Sequence, residues 1–170
     1  SYTAEIISSQ KKRVKVKLVK EPVFQDRKGI KISLGQSLIK TEPFSFSIQK
    51  ATELGVVSFS PLYTERTVIK LKSNSTKSRK ARWQSIATHA CQQCGENWLP
   101  EINEIQRLED WTQAVKAKHK IVLYPGAETK LTSLTFDDSV AIAVGPEGDF
   151  TDSEIKLLTK KDFLPVKLGE

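Results

Sequence analysis

The sequence predicts an α/β domain built on a mostly parallel sheet, preceded by a short all-β segment. Two observations carry this reading. From Ile30 onward, continuous apolar runs such as Val140-Ala141-Ile142-Ala143-Val144 alternate with stretches of helical periodicity, whereas the chain before Ile30 shows only period-two alternation. At 170 residues the chain suffices for one well-cored domain, or for one domain with a fragment of another.

In the first segment, Ala4 to Val19, Val14, Val16 and Leu18 alternate with Lys15, Lys17 and Lys20, the pattern of a half-solvated antiparallel strand belonging to a sheet or barrel. Glu21-Pro22 opens a polar linker that runs through Gly29. Ile32-Ser33-Leu34 is a short strand. Thr41-Glu42-Pro43 starts a helix with a capping hydroxyl and an early proline; Phe44, Ile48, Ala51 and Leu54 mark its inner face, and Gly55 ends it. Val56 to Ser60 follows as a buried strand stopped by Pro61.

A longer helix runs from Thr76 to Cys94, because Trp83, Ile86, Ala87, Ala90, Cys91 and Cys94 recur at helical spacing and Gly95 closes it. Its opposite face carries Lys77, Arg79, Lys80 and Arg82. Leu108, Trp111, Ala114 and Val115 give a third helix, with Lys116, Lys118 and Lys120 near its end, where the helix dipole favours cations. Ile121-Val122-Leu123-Tyr124 and Val140 to Val144 read as central parallel strands. Thr151-Asp152-Ser153-Glu154 is a capping box that starts the last helix, with Ile155 and Leu158 facing in, and Phe163 to Leu168 is one more strand.

Composition narrows the class. No apolar run approaches the roughly 18 residues of a membrane span. The first residues lack an initiator Met and the layout of a signal peptide. Only Cys91 and Cys94 are present, which predicts no disulfide framework and a cytoplasmic location. Lys plus Arg number 27 against 20 acidic residues, a net +7 that suits a polyphosphate partner.

The turn Gly145-Pro146-Glu147-Gly148-Asp149 joins a buried strand to the capped helix, the place where open α/β sheets bind ligands. Glu147 and Asp149 would repel phosphates, and neither a dinucleotide fingerprint nor a phosphate-binding Lys-Ser/Thr loop is present. A cationic cofactor without phosphate, such as S-adenosylmethionine, tolerates that acidity. Two cysteines cannot close a four-ligand zinc site, so no metal is expected and Cys91 and Cys94 are read as packing residues. His89 and His119 are read as surface groups.

Gly145 to Gly148 with Phe150 and Ser153-Glu154-Ile155 resembles the cofactor loop of the bacterial 16S rRNA uridine-N3 methyltransferases. Three further blocks resemble that family in order: Ile48 to Val56, then Pro61 with Thr64-Glu65-Arg66, then Ala90 to Gly95 with Pro100-Glu101-Ile102. The resemblance implies a SPOUT α/β-knot domain over 28–170, threaded as a trefoil and incomplete at its C-terminus. Residues 1–27 would be the last part of a PUA-like β-barrel RNA-binding domain plus linker. It also implies S-adenosylmethionine as cofactor, held by Leu123, Tyr124, Pro125, Gly145, Pro146, Glu147, Gly148, Leu168 and Gly169. Lys50, Arg66, Arg82 and Gln93 would meet the RNA. The partners would be 16S rRNA or the small ribosomal subunit and a second copy of the chain, as a homodimer.

The sequence departs from the family at Pro43, where lysine is frequent, at Glu96, where arginine is common, and at Asp149, where glycine is frequent. It also lacks the family's C-terminal arginine-rich segment, and the resemblance assigns the group that removes the N3 proton to no residue present. Two other functions share these features, a non-catalytic RNA-binding or ribosome-assembly protein of SPOUT fold and a SPOUT methyltransferase acting on tRNA.

Overall fold

The chain opens with a hairpin rather than a single strand. In the computed structural model, which describes residues 3–21, 27, 29–68 and 76–169, β1 (Ala4–Gln10) pairs antiparallel with β2 (Arg13–Leu18). The alternating side chains Val14, Val16 and Leu18 are exposed, so the half-buried face expected of them is absent among the described residues. Ser1, Tyr2 and the linker residues 22–26 and 28 lie outside the described residues. Arg27 donates to the Gly55 carbonyl.

Among the described residues, seven strands form one wholly parallel sheet: β3 (Lys31–Ser37), β4 (Ser58–Tyr63), the short β5 (Glu101–Ile102) and β6 (Gln106–Arg107), β7 (His119–Leu123), β8 (Ser139–Val144) and β9 (Leu164–Val166). Their spatial order is β5-β4-β3-β8-β7-β9, with β6 also on β4. The chain first builds outward through β4 to β5. It then crosses to place β7, inserts β8 between β7 and β3, and returns over β7 to add β9.

Among the described residues, four α-helices connect the strands: α1 (Thr41–Glu53), α2 (Thr76–Cys94), α3 (Leu108–Ala114) and α4 (Asp152–Lys160). Pleat alternation assigns them to faces. Leu34 and Phe59 are paired across β3 and β4 and share a core with Phe44, Ile48 and Trp83 of α1 and α2. Phe44 meets the Phe59 ring edge-on at 5.6 Å and Trp83 at 4.9 Å. On the opposite face, Val122, Ala141 and Ala143 pack with Trp111 of α3, Leu158 of α4 and Phe163. Gly35 is required there, because a Cβ would lie 2.6 Å from the Trp111 ring.

The half of the first face over β7 and β8 is covered by Leu131, Leu134 and Phe136. Beside them an apolar groove of about 410 Å3 stays open, lined by Ile30, Ile32, Leu34, Phe136, Ile142 and Val144 among others. Among the described residues no helix is long and apolar enough to cross a membrane.

Several local expectations need correction. Pro61 does not stop its strand. It sits inside β4, and its nitrogen points to the edge where β5 has ended and β6 has not begun, so the missing N–H breaks no ladder bond. Thr41 is the first helical residue of α1, not its cap; Lys40 takes the cap position with no side-chain bond. Leu54 is 80% exposed, because α1 ends before it in a Schellman turn. Val56 N–H donates to Ala51 at 2.9 Å, Gly55 has φ +77, and Val56 takes the core position instead. Lys116, Lys118 and Lys120 lie beyond the end of α3, so its dipole does not account for them.

Candidate functional site

Three consecutive carboxyl-terminal strand ends, of β8, β7 and β9, converge on a cleft of about 360 Å3. Each contributes a short turn with its own fixing bonds. After β7, Tyr124 N–H donates to Val166 O at 2.9 Å and Ala127 N–H to Tyr124 O at 3.0 Å. After β8, Asp149 N–H closes the Gly145–Asp149 turn on Pro146 O at 3.0 Å, and buried Phe150 anchors it in the core. After β9, Lys167 N–H donates to Thr129 O and its carbonyl accepts from Leu131 N–H, both at 2.9 Å. The chain reverses direction across the sheet here, since β8 lies on one side of β7 and β9 on the other, which leaves a crevice over the ends of the strands.

Of the residues expected to hold a cofactor, Leu123, Tyr124, Pro125, Gly145, Leu168 and Gly169 line this cleft together. Pro146, Glu147 and Gly148 do not line it. Pro146 is buried, the Glu147 carboxylate accepts from Lys40 N–H at 3.3 Å, and Gly148 turns its carbonyl to the Arg66 guanidinium at 2.5 Å. The residues assigned to the cofactor from the sequence did not include Val144, Val166 or Lys167, nor Asp149 of the same turn, all of which line it. Strand ends neighbouring the chosen motifs were the available signal for Val144 and Val166; nothing local marks Lys167.

The Gly145–Asp149 loop is clamped from β3 and β4. Buried Gln36 donates to Gly145 O at 3.3 Å, alongside its 3.1 Å bond to Ser37 O. Ser37 Oγ is itself buried and has no hydrogen-bond partner among the described residues. Arg66 belongs to the turn after β4, and that turn is fixed by the capping box of α4. Glu154, only 5% exposed, accepts from Thr151 N–H and from Glu65 N–H, each at 2.9 Å. Ser153 Oγ donates to the Glu65 carboxylate at 3.1 Å. Arg66, expected on the RNA side, thus also holds the loop through its bond to the Gly148 carbonyl.

The other basic candidates lie on the helices. Lys50 is bound to Glu53 at 2.7 Å, and together with Gln49 it holds the Glu53 carboxyl below its ordinary range. Arg82 and Arg79 line a small pocket of about 140 Å3 with Thr41, Phe44 and Trp83 at the start of α1. Lys80 pairs with Glu104 at 2.9 Å, and Lys77 and Gln93 are exposed. Among the described residues no hydrogen bond or ion pair joins Lys50, Arg82 or Gln93 to the loop.

Cys91 is buried, and burial above all pushes its thiol up, which suits packing. Cys94 is exposed and does not pack as expected. His89 is exposed. His119 is half-buried and meets Asp137 at 2.6 Å, a partner 18 residues away that ligand-type spacing did not reveal.

A family profile described as an RNA methyltransferase domain matches residues 26–170. The ribosomal RNA small subunit methyltransferase E of Buchnera aphidicola subsp. Schizaphis graminum (strain Sg) is 30% identical over 170 residues, 99% of this chain and 69% of that relative. The crystal structure of the ribosomal RNA small subunit methyltransferase E of Neisseria gonorrhoeae, bound to S-adenosyl methionine, superposes with a TM-score of 0.91 at 27% identity, over 99% of this chain and 71% of that one. A methyltransferase of Legionella pneumophila, solved in complex with the bound cofactor SAM, gives 0.90 at 33% identity, covering 99% of this chain and 70% of that one. With a parallel sheet, a cleft over three strand ends and a profile match over most of its length, the chain belongs to the RNA methyltransferase domain family.

Proposed function

We propose that the protein methylates N3 of a uridine in 16S ribosomal RNA with S-adenosylmethionine as donor. The observation that carries the reading is the cleft over β7, β8 and β9, in a chain whose fold matches two proteins solved with that cofactor. The residues present suit the ligand. Leu123, Val144, Val166 and Leu168 offer apolar contact to an adenine ring, backbone groups of the three turns offer hydrogen bonds, and no cluster of cations such as a triphosphate needs is present in the lining.

The cofactor supplies a methyl group made electrophilic by its sulfonium. The protein's task is placement. Gln36, Lys40 and Arg66 hold the loop so that the donor is presented in one orientation, and orientation alone is worth up to about 7–11 kcal/mol in favourable systems. The uridine must lose its imide proton, so the base site screens negative charge, a role suited to the basic side of the domain.

We assign the RNA contact to Lys50, Arg82 and Gln93, with Arg79 beside Arg82, and keep Arg66 as the link between that side and the cofactor loop. Residues 1–27 belong in this reading to a barrel-like RNA-binding domain, and 28–170 to a SPOUT domain whose further chain completes a trefoil knot. The protein works in the cytoplasm as a homodimer. The open apolar groove beside Phe136 supports the need for such cover.

The test is methylation of small ribosomal subunits and of tRNA from cells lacking the gene, with product mapping by mass spectrometry. N3-methyluridine at one position of 16S rRNA is expected. Methyl groups in tRNA, or in neither RNA, would overturn the assignment.

A further inference from the structure

We infer that Asp149 and Lys167 give the cleft a charge polarity that favours the cationic cofactor over its neutral thioether product, with Asp149 as the residue that tells them apart. The inference rests on the cofactor reading above. Both residues line the cleft. They enter from opposite sides, because Asp149 follows β8, Lys167 follows β9, and β7 runs between those strands.

Three neighbouring carboxylates are already engaged. Glu147 accepts from Lys40 N–H, Glu154 from two backbone N–H groups, and Glu65 from Ser153. The Asp149 carboxylate and the Lys167 ammonium make no hydrogen bond or ion pair among the described residues. Among the residues that line the cleft, Asp149 is the acidic one and Lys167 the basic one.

Their backbones are fixed, so both side chains start from defined positions at the cleft. Asp149 sits between Gly148, held by Arg66, and buried Phe150, while Lys167 is bonded on both sides of its peptide plane by Thr129 and Leu131. Asp149 also has φ +58, a conformation in which glycine is at ease. That conformation alone carries nothing, since Asp138 and Asp162 share it. It does allow the carboxylate to be removed without backbone strain.

A bound S-adenosylmethionine presents a carboxylate, an α-ammonium and a sulfonium. The product formed by methyl loss keeps the first two and loses only the sulfonium charge. Attraction to Lys167 is thus common to both ligands, whereas attraction of the sulfonium to Asp149 belongs to the cofactor alone. Asp149 therefore strengthens binding of the cofactor more than binding of the product.

The experiment is calorimetric titration of the full-length protein with S-adenosylmethionine and with S-adenosylhomocysteine. Wild type is compared with Asp149→Gly, Asp149→Asn and Lys167→Gln at low and physiological salt. The ratio of product Kd to cofactor Kd is expected to fall roughly three- to tenfold in both Asp149 variants, more at low salt, as for a partly solvated charge pair. Lys167→Gln is expected to weaken both ligands alike and leave the ratio in place. An unchanged ratio in both Asp149 variants, with wild type binding both ligands, overturns the inference while leaving the cofactor reading intact. Failure of wild type to bind either ligand overturns both.

Discussion

Glu154→Ala should be the costliest single change near the cleft that leaves the core unaltered. The side chain is 5% exposed and its two oxygens satisfy two backbone donors, Glu65 N–H and Thr151 N–H, at 2.9 Å each. Alanine removes the capping-box partner of α4 and leaves the part-buried Glu65 amide without its acceptor. A lost charge-assisted bond of this kind costs about 1.5–3 kcal/mol, and half of a capping box about 0.5–1 kcal/mol more, so a loss of about 2–4 kcal/mol is expected. Glu154→Gln keeps an acceptor for one of the two donors and should lose about half as much. Urea denaturation of wild type and both variants measures this directly. A loss below about 1 kcal/mol for alanine would mean that water replaces the carboxylate and that the turn carrying Arg66 is not fixed by α4.

Three further outcomes follow from the same geometry. Arg66→Ala should weaken S-adenosylmethionine binding about three- to tenfold by freeing Gly148, with Arg66→Lys partly restoring it; unchanged affinity in a titration would return Arg66 to the RNA side. Gly35→Ala should cost about 1–3 kcal/mol and perturb Trp111 fluorescence, since the new Cβ would meet the ring at 2.6 Å, and a loss under about 0.5 kcal/mol would contradict that packing. Asp137 is held at about 2, below its ordinary 3.8, by His119 first and then Lys118. Its lowered value means the charged form is favoured in the fold, so its stabilising effect is complete above the ordinary value and disappears as pH falls through about 2. The melting temperature of Asp137→Asn should therefore fall less steeply than wild type between those two pH values; parallel curves would remove the His119–Asp137 contact from the folded state.

The parts of the fold legible in the sequence are those whose signals are local. The apolar run of β8 is a buried strand for the reason the sequence suggests, and Thr151 to Glu154 forms the reciprocal cap its spacing predicts. Lys11-Lys12 carries no turn signal, so the hairpin was read as one strand. Leu54 fits the helical period of α1, but the glycine turn after it lets Val56 bury in its stead, a choice made by packing and not by spacing. The cleft was half legible: Gly145 and Leu168-Gly169 stand at strand ends whose motifs are recognisable. Lys167 was not, because its place depends on β9 lying beside β7. The direction in which Glu147 points is likewise set by Lys40 of a distant loop.

The most direct test of the account is a crystal structure of the full-length protein with S-adenosylmethionine. The account predicts the cofactor over the ends of β7, β8 and β9, in contact with Leu123, Gly145, Asp149, Lys167 and Leu168, with Glu147 still turned to Lys40. Cofactor bound elsewhere on the molecule, or in contact with Glu147 and not with Asp149, would contradict it.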